Sequence, residues 1–238
     1  MKGVVIAGGS GTRLRPLTLV INKHLLPIYD KPMILYPIQT LLLSGINDIL
    51  LVLGDRADQI MKLLENSKEL GNKNLKFILQ EKPRGIADAI GYAEEFSGGE
   101  SICVILGDTC SDANIKEEIN NFKEGAYLFL KQVEDPRPWS VPKFDNQGNI
   151  TEIFEKPEIA PSNYAVTGIF LYDNTVFNKI RALEPSARGE VESGDLNNLY
   201  IKEGKLRWGL LNGFWRDTGT FDLIYEATNY WAKKHFTA

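Results

Sequence analysis

Histidine, cysteine and methionine are scarce in this chain, at two, two and three residues of 238. Cys103 and Cys110 are too few for a disulfide framework or a cysteine metal cluster. Neither histidine stands in a recognisable nucleophile–base motif. A basic excess is missing as well. The net charge of -4 excludes a general positive surface for a nucleic-acid polymer, so any anion site must be local. No apolar run approaches the roughly 20 residues of a membrane span. The opening "MKGVVIAGGSG" is also too short in apolar residues for a signal peptide. No membrane partner and a reducing cytoplasm are therefore expected. Two familiar phosphate loops fail too. No lysine follows Gly11 where a Walker A loop needs one. Leu14 stands where the dinucleotide fingerprint begun at Gly9 and Gly11 needs its third glycine.

What is present is an ordinary globular balance, 43% hydrophobic and 24% charged, in a chain long enough to bury a sizeable core. Four apolar, β-rich runs recur: "GVVIA" (3–7), "DILLVL" (48–53), "LKFILQ" (75–80) and "SICVIL" (101–106). Helix-like stretches separate them at 32–45, 57–67 and 86–96. In the last, Ile86, Ala89, Ile90 and Ala93 repeat at helical spacing. Strand alternating with helix predicts an α/β protein whose parallel sheet is covered on both faces, with ligands outside the carboxyl ends of the strands.

After about residue 125 the pattern changes to longer strands, "AYLFLKQV", "SVPKFDNQGNITEIF" and "NYAVTGIFLYD". The "DNQGN" turn at 145–149 predicts a hairpin. Helices are expected at 174–182, 195–203 and 219–235. The reading is one domain over 1–238, a first part to about 124 and a second from about 125 that adds a smaller mixed-sheet subregion.

Several stretches carry chemistry. Gly8, Gly9 and Gly11 follow the first strand, where glycines let backbone N–H groups approach a phosphate. A short helical turn from Thr12 would aim its dipole there, and Arg13 adds a fork suited to phosphate oxygens. Lys23 precedes an apolar segment and reads equally as a surface residue. Asp108 in "ILGDT" sits just past a buried strand, a usual place for a carboxylate that holds Mg²⁺ against phosphates or for a helix cap. Asp217 in "FWRDTGT" would complete a metal site if it converges with Asp108. Otherwise it caps the final helix, as Thr218 or Thr220 equally could. Glu155 and Lys156 are adjacent at a strand end, so on an extended chain they point to opposite faces and need not pair. They read as a hydroxyl acceptor and a phosphate donor, or as a charged turn.

Taken together, GGSGTRLRPLT, NKHLLPIYDKPMI, LQ before GIADAI, LGD, EKP, NYAVTGIF and WRDTGT occur in one order over nearly the whole chain. This resembles the sugar-1-phosphate nucleotidyltransferases, most closely the branch that joins dTTP to glucose 1-phosphate. The resemblance implies a Rossmann-like core, release of pyrophosphate, and Mg²⁺ held by Asp108 and Asp217. It implies that Gly8, Gly9, Gly11, Thr12 and Arg13 hold the triphosphate, that Lys23 contacts its reacting end, and that Gln80 and Gly85 read the pyrimidine. Ser140, Glu155 and Val166 fall to the sugar and Lys156 to its phosphate. A homo-oligomer is expected.

Two departures concern the sugar more than the reaction. Thr109 stands where the family often has Asn, and Trp139-Ser140-Val141 replaces Tyr-Gly-Val. The chain is also shorter than the long form by about one C-terminal helical segment, and because that segment helps to build a feedback site in the long form, regulation of that kind is not expected from the resemblance. Alternatives are another sugar 1-phosphate, UTP in place of dTTP, or a non-catalytic subunit that binds sugar nucleotides.

Overall fold

The apolar runs at 3–7, 48–53 and 101–106 become strands buried on both faces, and the run at 75–80 becomes a partly exposed edge strand. The computed structural model describes residues 1–67, 74–186 and 188–237. After β1 (Lys2–Ala7) come three short 3₁₀ turns, at 12–14, 17–19 and 23–25, and the small strands β2 (Pro27–Ile28) and β3 (Lys31–Pro32). Then follow α1 (Leu35–Leu43), β4 (Asp48–Leu53), α2 (Ala57–Asn66), β5 (Asn74–Leu79), α3 (Ile86–Gly91), α4 (Glu94–Ser97) and β6 (Ile102–Leu106). The second half holds β7 (Thr109–Ser111), α5 (Lys116–Asn121), β8 (Ala126–Gln132), β9 (Ser140–Phe144), β10 (Ile150–Glu155) and β11 (Tyr164–Tyr172). It closes with α6 (Val176–Arg181), α7 (Ser193–Lys202), β12 (Leu206–Leu210), β13 (Trp215–Asp217) and α8 (Phe221–Thr237).

Seven strands form one sheet in the order β12-β8-β11-β6-β1-β4-β5. Within it only β11 runs against the rest. Successive residues of a strand face opposite sides, so the inner strands feed two cores. Val5, Leu51 and Ile105 enter one, and Val4, Leu50 and Val104 the other. A third, smaller core of Leu14, Leu26, Ile28, Met33 and Tyr36 lies with Ala227 of α8. From β1 the chain steps outward through β4 to β5, then returns to place β6 on the other side of β1. That reversal makes a crevice beyond the carboxyl ends of β1 and β6, the usual ligand position in such sheets. The loops after these two strands carry Gly8 and Asp108.

The pattern reading meets the structure at all four first-half strands and at the hairpin, whose turn Asp145 closes by accepting from the N–H groups of Gln147 and Asn149. It differs in three places. The helix expected over 86–96 breaks after Gly91 into α3 and α4. The helix expected from 32 starts at Leu35, because Lys31 and Pro32 pair with β2. The strands β7, β12 and β13, short or interrupted by Arg207 and Gly209, show no alternation long enough to read. The second half continues the main sheet with β8, β11 and β12, and the antiparallel pair β9–β10 stands apart from it. Among the described residues no helix is long and apolar enough to cross a membrane.

The double-sided core makes a direct prediction. Leu51 is fully buried on β4, so Leu51→Ala is expected to cost about 2–5 kcal/mol. Chemical denaturation should show a lower midpoint at an unchanged slope. A midpoint equal to that of the unmutated chain would contradict this packing.

Candidate active site

The glycine loop leaves β1 at Ala7 and folds back on itself. Gly11 has φ 66°, a left-handed conformation that glycine adopts without strain, and it starts the 3₁₀ turn at 12–14. Thr18 Oγ1 donates to Gly11 O at 2.8 Å and pins the loop. A side chain on Gly11 would stand 2.8 Å from Lys23 Cβ, and one on Gly9 would stand 3.3 Å from Lys23 Nζ. The loop therefore lies directly over Lys23. Thr12 and Arg13 are exposed. The Arg13 guanidinium reaches the far side of the crevice, where a Cβ on Gly219 would meet its Nη2 at 2.7 Å.

Lys23 and the two aspartates form the centre. Lys23 Nζ donates to Asp108 Oδ2 at 2.5 Å, with both side chains little exposed. Asp217 reaches the same place through main-chain pairing. In β7–β13 Asp217 faces Thr109, and Thr218 donates to the Asp108 carbonyl from its N–H at 2.9 Å and its hydroxyl at 2.8 Å. Burial alone would raise the Asp108 pKa, but the Lys23 charge and hydrogen bond hold it below the usual carboxylate range. Asp217 shifts the other way, raised by burial and by the Asp108 charge despite Lys23, a Trp139 hydrogen bond and Arg13. The cap of α8 falls to Thr220, whose hydroxyl accepts from Leu223 N at 3.4 Å, and Asp217 is left to the crevice.

Two converging carboxylates, one of which makes the other harder to ionise, fit a divalent cation. Mg²⁺ takes one or two carboxylates and completes its shell with phosphate oxygens and water. Among the described residues no group of three or more His, Cys, Asp or Glu side chains gathers to form an all-protein cage. The donor set at Asp108 and Asp217 thus suits Mg²⁺ that arrives with a triphosphate.

A cavity of about 230 Å³ opens beside this centre, lined by Gly8, Gly9, Lys23, Gln80, Gly85 and Asp108 among others. Gln80 is 6% exposed, and its Nε2 donates to Asp88 Oδ2 at 2.7 Å. That bond fixes which end of the amide is which, so Oε1 faces Gly8, where a Cβ would stand 2.6 Å from it. Gly85 has φ 106° and lies against the backbone of Val191 too closely for a side chain.

Across the crevice the β9–β10 hairpin carries the remaining residues. Ser140 faces Glu155 in the ladder and donates to its Oε2 at 2.5 Å. The strand ends at Glu155, and Lys156 turns into the left-handed region at φ 47°. The strict alternation expected of an extended chain therefore fails, and Lys156 Nζ comes within 3.9 Å of Glu155 Oε1. Val166 is buried on β11 beside a register irregularity, and Thr109 is buried with its hydroxyl toward Thr167 O. The structure thus gathers Gly9, Gly11, Arg13, Lys23, Asp108 and Asp217 on one side, Gln80 and Gly85 on the adjoining cavity, and Ser140, Glu155 and Lys156 at the hairpin.

Two neighbours, Asp88 and Arg188, have no sequence signal strong enough to single them out, and a third, Trp139, stands out only as a departure from the family's Tyr-Gly-Val. Asp88 orients Gln80, and its place in the first turn of α3 after Gly85 was the available clue. Arg188 lies 3.7 Å from Glu155 Oε1 and 2.8 Å from Glu192 Oε1, in a loop remote in sequence. Trp139 donates from its indole to Asp217 Oδ2 at 3.0 Å.

The sequence profile of the nucleotidyl transferase family matches residues 2–234. The chain belongs to that family. A glucose-1-phosphate thymidylyltransferase of Neisseria gonorrhoeae is 40% identical over 237 residues, 97% of this chain and 82% of that protein. One of Mycobacterium tuberculosis is 38% identical over 236 residues, covering 97% and 82%. A solved UDP-glucose pyrophosphorylase complexed with UDP-glucose superposes with a TM-score of 0.89 at 25% identity, covering 98% of each chain. The nucleotidyltransferase fold is shared throughout, with the mostly parallel central sheet flanked by helices.

His24 lies in the floor of the cavity at Gln80 and Gly85. The ring is fully buried, its Nδ1 is 2.9 Å from Asn22 Oδ1, and its pKa is pushed down to about 3 by burial and the Lys23 charge. The unfolded chain binds a proton there that the folded chain refuses. Stability contributed by His24 is complete above about pH 6.5 and is lost as pH falls toward 3. An NMR titration is expected to show a flat His24 ring signal down to about pH 4. A transition near the value of a free imidazole would contradict the assignment.

Proposed function

We propose that this chain transfers a thymidylyl group from dTTP to α-D-glucose 1-phosphate, giving dTDP-glucose and pyrophosphate with Mg²⁺. The observation that carries this is the meeting of Arg13, Lys23, Asp108 and Asp217 beyond β1 and β6, opposite a hairpin that presents Glu155 and Lys156. The names of the relatives in Neisseria and Mycobacterium support the choice of base and sugar.

The reaction asks little covalent chemistry of the protein. A sugar phosphate oxygen is already anionic at neutral pH and needs no base to activate it. Catalysis then rests on positioning and charge neutralisation. The loop amides of Gly8, Gly9 and Gly11, with Thr12, hold the triphosphate. Arg13 faces the departing pyrophosphate, and Lys23 balances charge at the α-phosphate. Mg²⁺, when held by Asp108 and Asp217, supplies further positive charge against the triphosphate oxygens. Lys156, with Arg188 beside it, holds the sugar phosphate in line, while Glu155 and Val166 bound the sugar. Gln80 Oε1 accepts from the imide N–H of the pyrimidine, and Gly85 lets the base lie close to the main chain. In this reading residues 1–124 handle the nucleotide and 125–238 the sugar.

One observation favours an alternative sugar 1-phosphate. The Ser140 hydroxyl already occupies Glu155 Oε2, so fewer sugar hydroxyls find an acceptor there. UTP is also expected to be used, since a single methyl is worth only about 1–3 kcal/mol of discrimination.

Pyrophosphate release from a panel of nucleotides against sugar 1-phosphates tests the assignment. dTTP with glucose 1-phosphate should lead, and equal efficiency with ATP or GTP would overturn it. Asp108→Asn should lose several orders of magnitude in turnover with the fold intact. Lys156→Ala should raise the sugar-phosphate KM about tenfold or more, the loss of one charge-assisted contact, and act less on the KM for dTTP.

A further inference from the structure

The two sides of the site meet at Trp139, the first residue of the Trp139-Ser140-Val141 loop, whose side chain reaches over to Asp217. Trp139 ends a turn in which its N–H donates to Pro136 O at 3.0 Å. Its indole Nε1 donates to Asp217 Oδ2 at 3.0 Å, and its carbonyl accepts from Lys156 N at 3.1 Å. The side chain thus grips a carboxylate of the cation site, and the main chain grips the lysine of the sugar-phosphate side.

Both grips bear on groups that need holding. Lys156 lies at φ 47°, a conformation that a non-glycine residue keeps only when its surroundings impose it. Asp217 Oδ1 is fixed by Gly219 N at 2.9 Å, so the indole on Oδ2 completes the definition of the carboxylate plane. Trp139 is itself braced. Its ring packs edge-on against Trp215, with centroids 5.4 Å apart. Trp215 is 1% exposed and donates to Thr167 O at 2.8 Å, one residue beyond Val166. The brace therefore runs from the β11 irregularity through two indoles to Asp217.

We infer that Trp139 is a positioning residue whose indole orients Asp217 toward the divalent cation. The inference rests on the proposed nucleotidyl transfer in taking Asp217 as a cation ligand. Trp139 acts through Asp217, and its bond to Lys156 is a main-chain one that leaves the side chain free for this role. Groups that orient a ligand in this way typically change metal affinity by about 10–100-fold when removed.

Trp139→Phe keeps an aromatic ring against Trp215 and removes the N–H donor. The probe is Mn²⁺, followed by the spectrum of the free ion, titrated into protein saturated with an α,β-methylene analogue of dTTP. The Mn²⁺ affinity of the variant complex is expected to fall about 10–100-fold, while affinity for the metal-free analogue, read by calorimetry, stays within about twofold. Loss of both affinities together would mark a merely structural role and overturn the inference, as would unchanged Mn²⁺ affinity. A cycle with Asp217→Asn guards against a folding defect: once Asp217 is neutralised, Trp139→Phe should cost little more Mn²⁺ affinity. Additive losses would contradict action through Asp217. If the unmutated protein takes up analogue and Mn²⁺ but ignores Trp139→Phe, the inference alone fails. If it takes up neither, the proposed function fails with it.

Discussion

Two carboxylates brought together at the end of a parallel sheet repel each other, and Lys23 is the cation the chain sets against them. Its ammonium lies 2.5 Å from Asp108 Oδ2, and its stem lies under Gly9 and Gly11. The same lysine therefore supports the glycine loop and lowers the cost of gathering negative charge beneath it. The β7–β13 pairing makes this compulsory. With Thr218 bonded twice to the Asp108 carbonyl, the chain cannot separate the two aspartates without breaking that ladder.

The sheet explains why the charges are placed here. Reversal of strand order at β1 and β6 opens a crevice, and the loops leaving both strands enter it. β11, the one antiparallel strand of the seven, carries Val166 and an irregular register toward the same end. The hairpin β9–β10 then brings Glu155 and Lys156 over from the second half of the chain. The cavity at Gln80 and Gly85 and the hairpin thus face one charged centre, the arrangement on which the proposed joining of two anions rests. Among the described residues neither cysteine nor His24 is prepared as a nucleophile or its base. Cys103 is fully buried in β6 with its thiol pushed far up by burial. Cys110 is pushed up to about 12, and His24 is buried and neutral.

Much of this was legible in the sequence for a physical reason. Strands buried on both faces are continuous apolar runs, so β1, β4 and β6 stand out, the edge strand β5 shows through its β-rich run, and glycine and aspartate after β1 and β6 mark the crevice. What escaped notice depends on contacts between remote segments. Trp139 and Asp217 are 78 positions apart, and Arg188 and Glu155 are 33 apart, so no local pattern relates them. The Glu155–Lys156 pair misled in another way. Strand alternation predicts opposite faces, but alternation ends with the strand, and one left-handed residue redirects the lysine. Short strands such as β7 and β13 carry decisive geometry with too few residues to show a period.

The central claim is that the site works by holding two anions in line, without a covalent enzyme intermediate. The most direct measurement is the stereochemical course at the α-phosphorus, read with one diastereomer of the α-thio analogue of dTTP and glucose 1-phosphate. A single displacement inverts configuration, and inversion is the predicted result. Retention, which requires two displacements and a nucleotidyl-enzyme between them, would contradict this account.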